Sequence, residues 1–110
     1  MFKMFKEILY RSFDVRDLSY KRIKEMLQED KNSVLIDVRS KQEYAEGHLA
    51  NSINIPLYEM EFQNDKIPTN KQNTIIVYCA SGHRSRQAKE KLEKMGYTNV
   101  YSLKNGLDGM

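Results

Sequence analysis

A thiol, a glycine and an arginine fall together in Cys79-Ala80-Ser81-Gly82-His83-Arg84-Ser85, a mix of residue types from which a nucleophilic sulfur site can be built. Cysteine reacts as its thiolate, so a cysteine nucleophile needs positive potential around it. The segment follows the β-branched run Thr74-Ile75-Ile76-Val77-Tyr78 and precedes a helical pattern from Ser85 to Met95, with Ala88, Leu92 and Met95 on one face. A tight strand-to-helix turn presents unpaired N–H groups with the positive end of a helix dipole behind them, which makes an anion cradle. Gly82 supplies the positive φ or the close backbone approach that such a turn needs. Arg84 and His83 are the cations at hand. An isolated cysteine is most often an inert core residue, but small, Gly and Arg neighbours at a strand end are poorly explained by packing. Cys79 is therefore the expected nucleophile, with Ala80, Ser81, Gly82, His83, Arg84 and Ser85 as the expected substrate-binding loop.

The elements that must position this loop alternate in type. Ser19 reads as the N-cap of a helix from Tyr20 to Glu29 whose Ile23, Met26 and Leu27 share a face. Val34-Leu35-Ile36-Asp37-Val38 is a short apolar run of the kind buried on both faces of a sheet. Ser40 can cap a short helix over Lys41 to Glu46 that Gly47 ends, and Ile53-Asn54-Ile55 forms a strand stopped by Pro56. A helical segment over Leu57 to Phe62, a loop from Ile67 to Asn73, a strand Val100 to Leu103 and a turn at Asn105-Gly106 complete the pattern. Strands alternating with helices predict an α/β fold with a central, mostly parallel sheet flanked by helices on both faces. Ligands of such sheets bind at the carboxyl ends of the strands, where Cys79 lies.

Bulk properties narrow the chemistry further. At 110 residues one domain is expected, assigned to residues 18–110, with residues 1–17 as an N-terminal extension. Phe2, Phe5, Ile8 and Leu9 give that extension the spacing of an amphipathic helix, expected to pack on its own domain rather than on a membrane or a partner. A single cysteine precludes an internal disulfide and fits a reducing, cytoplasmic setting. With His48 and His83 the only histidines, no metal-ligand spacing exists, so neither a metal nor another cofactor is expected. The net charge of +3 is interleaved with acids, as in Lys89, Glu90, Lys91, Glu93 and Lys94, which argues against nucleic acid as a partner. No apolar run is long enough for a membrane span.

Three motifs in order carry a family resemblance. Cys79 to Ser85 resembles the active-site loop of single-domain rhodaneses. Leu35-Ile36-Asp37-Val38-Arg39, followed by Glu43-Tyr44-Ala45-Glu46-Gly47-His48-Leu49-Ala50-Asn51-Ser52-Ile53-Asn54-Ile55-Pro56, is similar to that family's upstream signature. Val100 to Leu107 is similar to its closing strand and turn, although Asn105 and Met110 stand where the family often has glycine and tryptophan. The resemblance implies the rhodanese-like fold and a thiosulfate sulfurtransferase-like enzyme of sulfur metabolism. It also implies a persulfide on Cys79 held by the loop amides from Ala80 to Ser85, with no cofactor. The expected partners are a small anionic sulfur donor such as thiosulfate and a thiol or cyanide acceptor, with a protein donor or acceptor as a further option.

Asp37, Arg39, Glu43 and His48 look like a charged catalytic set but read better as a scaffold-holding network, with Glu43 paired to Arg39, because buried charges need partners. Two rivals to sulfur transfer stand beside it. Phosphatases and arsenate reductases also place an arginine after a loop cysteine, but their loop is one residue longer than the Cys79–Arg84 spacing and surrounds a tetrahedral oxyanion. A non-catalytic binding or persulfide-sensing module would share the fold without turnover, since fold does not dictate function.

Overall fold

The computed structural model describes residues 16–62 and 64–110. The amphipathic helix expected near the N-terminus therefore lies outside the described residues, apart from the last two positions of the 1–17 extension.

Among the described residues, five strands form one sheet: β1 (Asp17–Leu18), β2 (Val34–Asp37), β3 (Ile53–Asn54), β4 (Ile75–Tyr78) and β5 (Val100–Leu103). Their order is β1-β5-β4-β2-β3, and every neighbouring pair is parallel. The α-helices of the described residues are α1 (Tyr20–Glu29), α2 (Lys41–Glu46) and α3 (His83–Lys94). Parallel neighbours require crossovers, and α1 and α3 provide the cover for opposite faces.

Alternation along the strands divides the core in two. Ile36, Val38, Ile75, Val77 and Cys79 pack on one face with Ala88 and Leu92 of α3. Leu35, Ile76, Tyr78 and Leu103 pack on the other with Ile23 of α1. β4 is buried along its whole length, and each of its isoleucines contributes about 1.5–3 kcal/mol by leaving water. That burial makes the strand end carrying Cys79 a rigid platform.

Local chemistry explains the element ends. Ser19 Oγ accepts the Arg22 N–H at 3.2 Å, starting α1. Ser40 and Glu43 form a reciprocal cap at α2: the hydroxyl accepts the Glu43 N–H, and the carboxylate accepts the Ser40 N–H. The helix expected from Ser85 begins two residues earlier, at His83, because Gly82 adopts φ 104° and turns the chain directly into it. His83 and Arg84 are thus first-turn helical residues. Of the helical segment expected over Leu57 to Phe62, only Leu57–Glu59 forms, as one turn of 3₁₀ helix. Among the described residues, no helix is long and apolar enough to cross a membrane.

Candidate active site

Cys79 leaves β4 at its carboxyl end and is completely buried. Its Sγ accepts two backbone N–H groups, from Gly82 at 3.0 Å and from Ser85 at 3.3 Å. Ser85 Oγ lies 3.5 Å from Sγ and donates to the Gly82 carbonyl at 3.1 Å. Of the loop amides expected from Ala80 to Ser85, those of Gly82 and Ser85 reach the sulfur itself. The N–H groups of His83 and Arg84 lie in the first turn of α3, where no intrahelical acceptor exists. Ser81 and His83 are exposed at the rim, while Gly82 and Ser85 are buried beneath it.

The loop is gripped from behind by the C-terminal turn. Leu107 N–H donates to Cys79 O at 2.9 Å, and Asp108 N–H donates to Ala80 O at 2.8 Å. A Cβ at Gly106 would collide with the Ala80 carbonyl and come 2.6 Å from Cys79 O, and its φ is +63°. Only glycine fits there. Asn105 also has positive φ, 60°, a conformation that asparagine tolerates better than most residues. Met110 is exposed, so the other departure falls on the surface.

The charged residues upstream form two separate pairs. Arg39 turns back onto Asp37, with Nε 3.1 Å from both carboxylate oxygens and Nη2 2.8 Å from Oδ2. Its Nη2 also donates to the Gly47 carbonyl, and its backbone N–H donates to Asp37 Oδ1. The expected Glu43–Arg39 pair does not form. Arg39 turns its Nε and Nη2 to its nearer partner, and the capped Glu43 reaches across to the active-site loop instead. Arg84 Nη1 and Nη2 contact Glu43 Oε1 and Oε2 at 2.6 and 3.0 Å. The hydrogen bond from Arg84 holds the Glu43 carboxyl down at about 2, and the same bond raises Arg84. Arg84, one of the two cations expected at the loop, is therefore paired with Glu43 in this structure. The Ser40-x-x-Glu43 spacing signals the cap, but no local signal marks the ion pair.

The remaining upstream residues hold the scaffold. His48 stacks on Tyr44 with ring centroids 3.7 Å apart, and its Nδ1 lies 2.8 Å from the Tyr44 carbonyl. The Tyr78 hydroxyl accepts the Leu49 N–H at 3.0 Å and meets Ser52 Oγ at 3.0 Å. Burial is the main cause that pushes its phenol up to about 12. A cleft of about 340 Å³ opens beside the loop, lined by Val38, Ser40, Leu57, Tyr58, Arg84 and Lys91.

Residues 19–110 match the rhodanese-like domain family. The chain is 45% identical over 65 residues to thiosulfate sulfurtransferase PspE of Escherichia coli (strain K12), covering 59% of this chain and 62% of that protein. It is 38% identical over 94 residues to a tRNA uridine(34) hydroxylase of Buchnera aphidicola, covering 82% of this chain but only 30% of that protein. Among solved structures, an Escherichia coli rhodanese with anions superposes with a TM-score of 0.63 at 40% identity, covering 71% of this chain and 91% of that one. The chain thus spans less than two thirds of the length of these two curated relatives, and with the parallel sheet and the family match over residues 19–110 it belongs to the rhodanese-like domain family.

Proposed function

We propose that the chain transfers sulfane sulfur by double displacement through a persulfide on Cys79. The observation that carries this reading is the setting of Sγ, at the carboxyl end of the central strand with two amide donors from the first turn of α3 and its approach. Such donors favour negative charge on sulfur without adding a side chain that competes for it.

The thiolate of Cys79 attacks the outer sulfur of a donor such as thiosulfate. The sulfur–sulfur bond of the donor breaks, its electron pair leaves with sulfite, and a new sulfur–sulfur bond joins Cys79 to the transferred atom. The negative charge now rests on that outer sulfur, at the start of α3, whose first-turn N–H groups favour an anion. Cyanide or a thiolate then attacks the outer sulfur, the bond to Cys79 breaks, and its electron pair restores the thiolate. No electrons are gained or lost overall, and no cofactor is needed. The Ser85 hydroxyl is placed to turn its proton from the Gly82 carbonyl to the sulfur when charge develops there.

Arg84 supports sulfur over phosphoryl chemistry, because its fork is occupied by Glu43 rather than open to a tetrahedral oxyanion. We take residues 18–110 as the working domain with residues 1–17 as an extension whose last residue, Asp17, is part of β1 and pairs with Ser102. The natural donors are small sulfur anions, organic persulfides or a protein donor, and a nucleophile that must stay reduced suits the cytoplasm.

Intact-protein mass spectrometry after incubation with excess thiosulfate tests the reading. We expect a gain of one sulfur atom, reversed by cyanide and absent in Cys79→Ser. A folded wild type that gains no sulfur from thiosulfate or from glutathione persulfide would overturn it in favour of a binding module.

A further inference from the structure

The Arg84 guanidinium belongs to the turn that encloses Cys79, yet both of its terminal nitrogens are spent on one carboxylate. Glu43 is held at both ends. Its backbone N–H is fixed by Ser40 Oγ at 3.1 Å, and its Oε1 accepts both the Ser40 N–H at 3.1 Å and Arg84 Nη1. Arg84 is close enough to Cys79 for the charge of the sulfur to act on it, behind the larger effect of Glu43. The second cation lining the adjoining cleft, Lys91, is likewise matched, by Glu61 at 2.8 Å.

A site built to capture a small dianion leaves its arginine fork open, because a bidentate guanidinium is a strong ligand for such groups. Here the fork is closed, and the walls beside it are Val38, Leu57 and Tyr58. We propose that Glu43 is a specificity-determining positioning residue: by occupying Arg84 it lowers the positive potential over Cys79 and disfavours small anionic reactants relative to organic ones of lower charge density. The inference rests on the sulfur-transfer reading for its biological meaning, but the electrostatic role stands apart from it. Thiosulfate still reacts, at a higher concentration than an open fork would require.

The test compares the alkylation rates of Cys79 by iodoacetate and iodoacetamide, reagents of similar size that differ by one charge. It uses wild type, Glu43→Gln, Arg84→Gln and the double variant at low ionic strength. The iodoacetate-to-iodoacetamide ratio should rise roughly three- to tenfold in Glu43→Gln, the size expected when one charge several ångströms away is lost near a protein surface. It should fall in Arg84→Gln, return near the wild-type value in the double variant, and converge for all four at high salt. A purely structural role for Glu43 would change both rates alike, and an unchanged ratio overturns the proposal. Failure of both reagents to label wild-type Cys79 overturns it too, since a closed mouth has no selectivity to set. If Glu43→Gln does not fold, Arg84→Gln keeps the Ser40–Glu43 cap and decides the matter by its opposite shift. In parallel, Glu43→Gln should lower KM for thiosulfate by a larger factor than it changes kcat. Alkylation ratios that behave as expected in a protein that takes up no sulfur would leave the charge role standing and remove the sulfur-transfer reading.

Discussion

Two arginine–carboxylate forks sit at the same end of the sheet, and they differ in what surrounds them. In the Asp37–Arg39 pair the side chains are 0% and 10% exposed, and the Arg39 amide and the Gly47 carbonyl add a hydrogen bond to each partner. In the Glu43–Arg84 pair they are 33% and 37% exposed, and Arg84 lines the cleft that opens beside the loop. A buried charge must have its partner, so the first pair is scaffold: it ties the end of β2 to the close of α2. The second pair loses little solvation, so its worth lies less in stability than in the potential it leaves over the sulfur.

That contrast can be broken most directly at the buried pair. Asp37→Ala strands the Arg39 guanidinium inside the fold and should cost about 3–5 kcal/mol, read as a lowered urea midpoint. A loss as small as that of a surface pair would show that water reaches Arg39 and that the two forks are alike. Glu43→Gln should be milder, about 1 kcal/mol or less by the same measurement, because Arg84 keeps its access to water and glutamine can still serve the cap.

The smallest effect is in acid and sharpens the comparison. Glu43 is held at about 2, below its ordinary 4.5, first by the hydrogen bond from Arg84. A depressed carboxyl contributes stability that is present above its unfolded value and lost as pH falls through the folded one. The wild type should therefore lose stability relative to Glu43→Gln between about pH 4.5 and 2, the two curves converging there. Carboxyl titration followed by NMR checks the same point, and an ordinary midpoint for Glu43 would mean that the fork is open in solution.

The composition and pattern of the chain determined a good deal. Apolar β-branched runs at Val34–Val38 and Thr74–Tyr78 can be buried only as inner strands, and the helical faces around Ile23 and around Ala88 and Leu92 must cover them. The site loop was legible because its signals are local: a cysteine at a strand end, a glycine with positive φ and a helix start within a few residues. β1 was not, because two residues carry no periodicity, and Asp17–Leu18 becomes a strand only by pairing with Ser102 and Leu103.

The tertiary structure alone decided how the loop is held and how it is charged. The grip of Leu107 and Asp108 on the carbonyls of Cys79 and Ala80 joins segments far apart in the chain. Glu43 and Arg84, 41 residues apart, meet because the Ser40 cap aims one while Gly82 starts the helix that carries the other. Spacing along the chain records which residues share a face or a turn. Which cation keeps its charge free depends on distances across the sheet, and those exist only once the chain has folded.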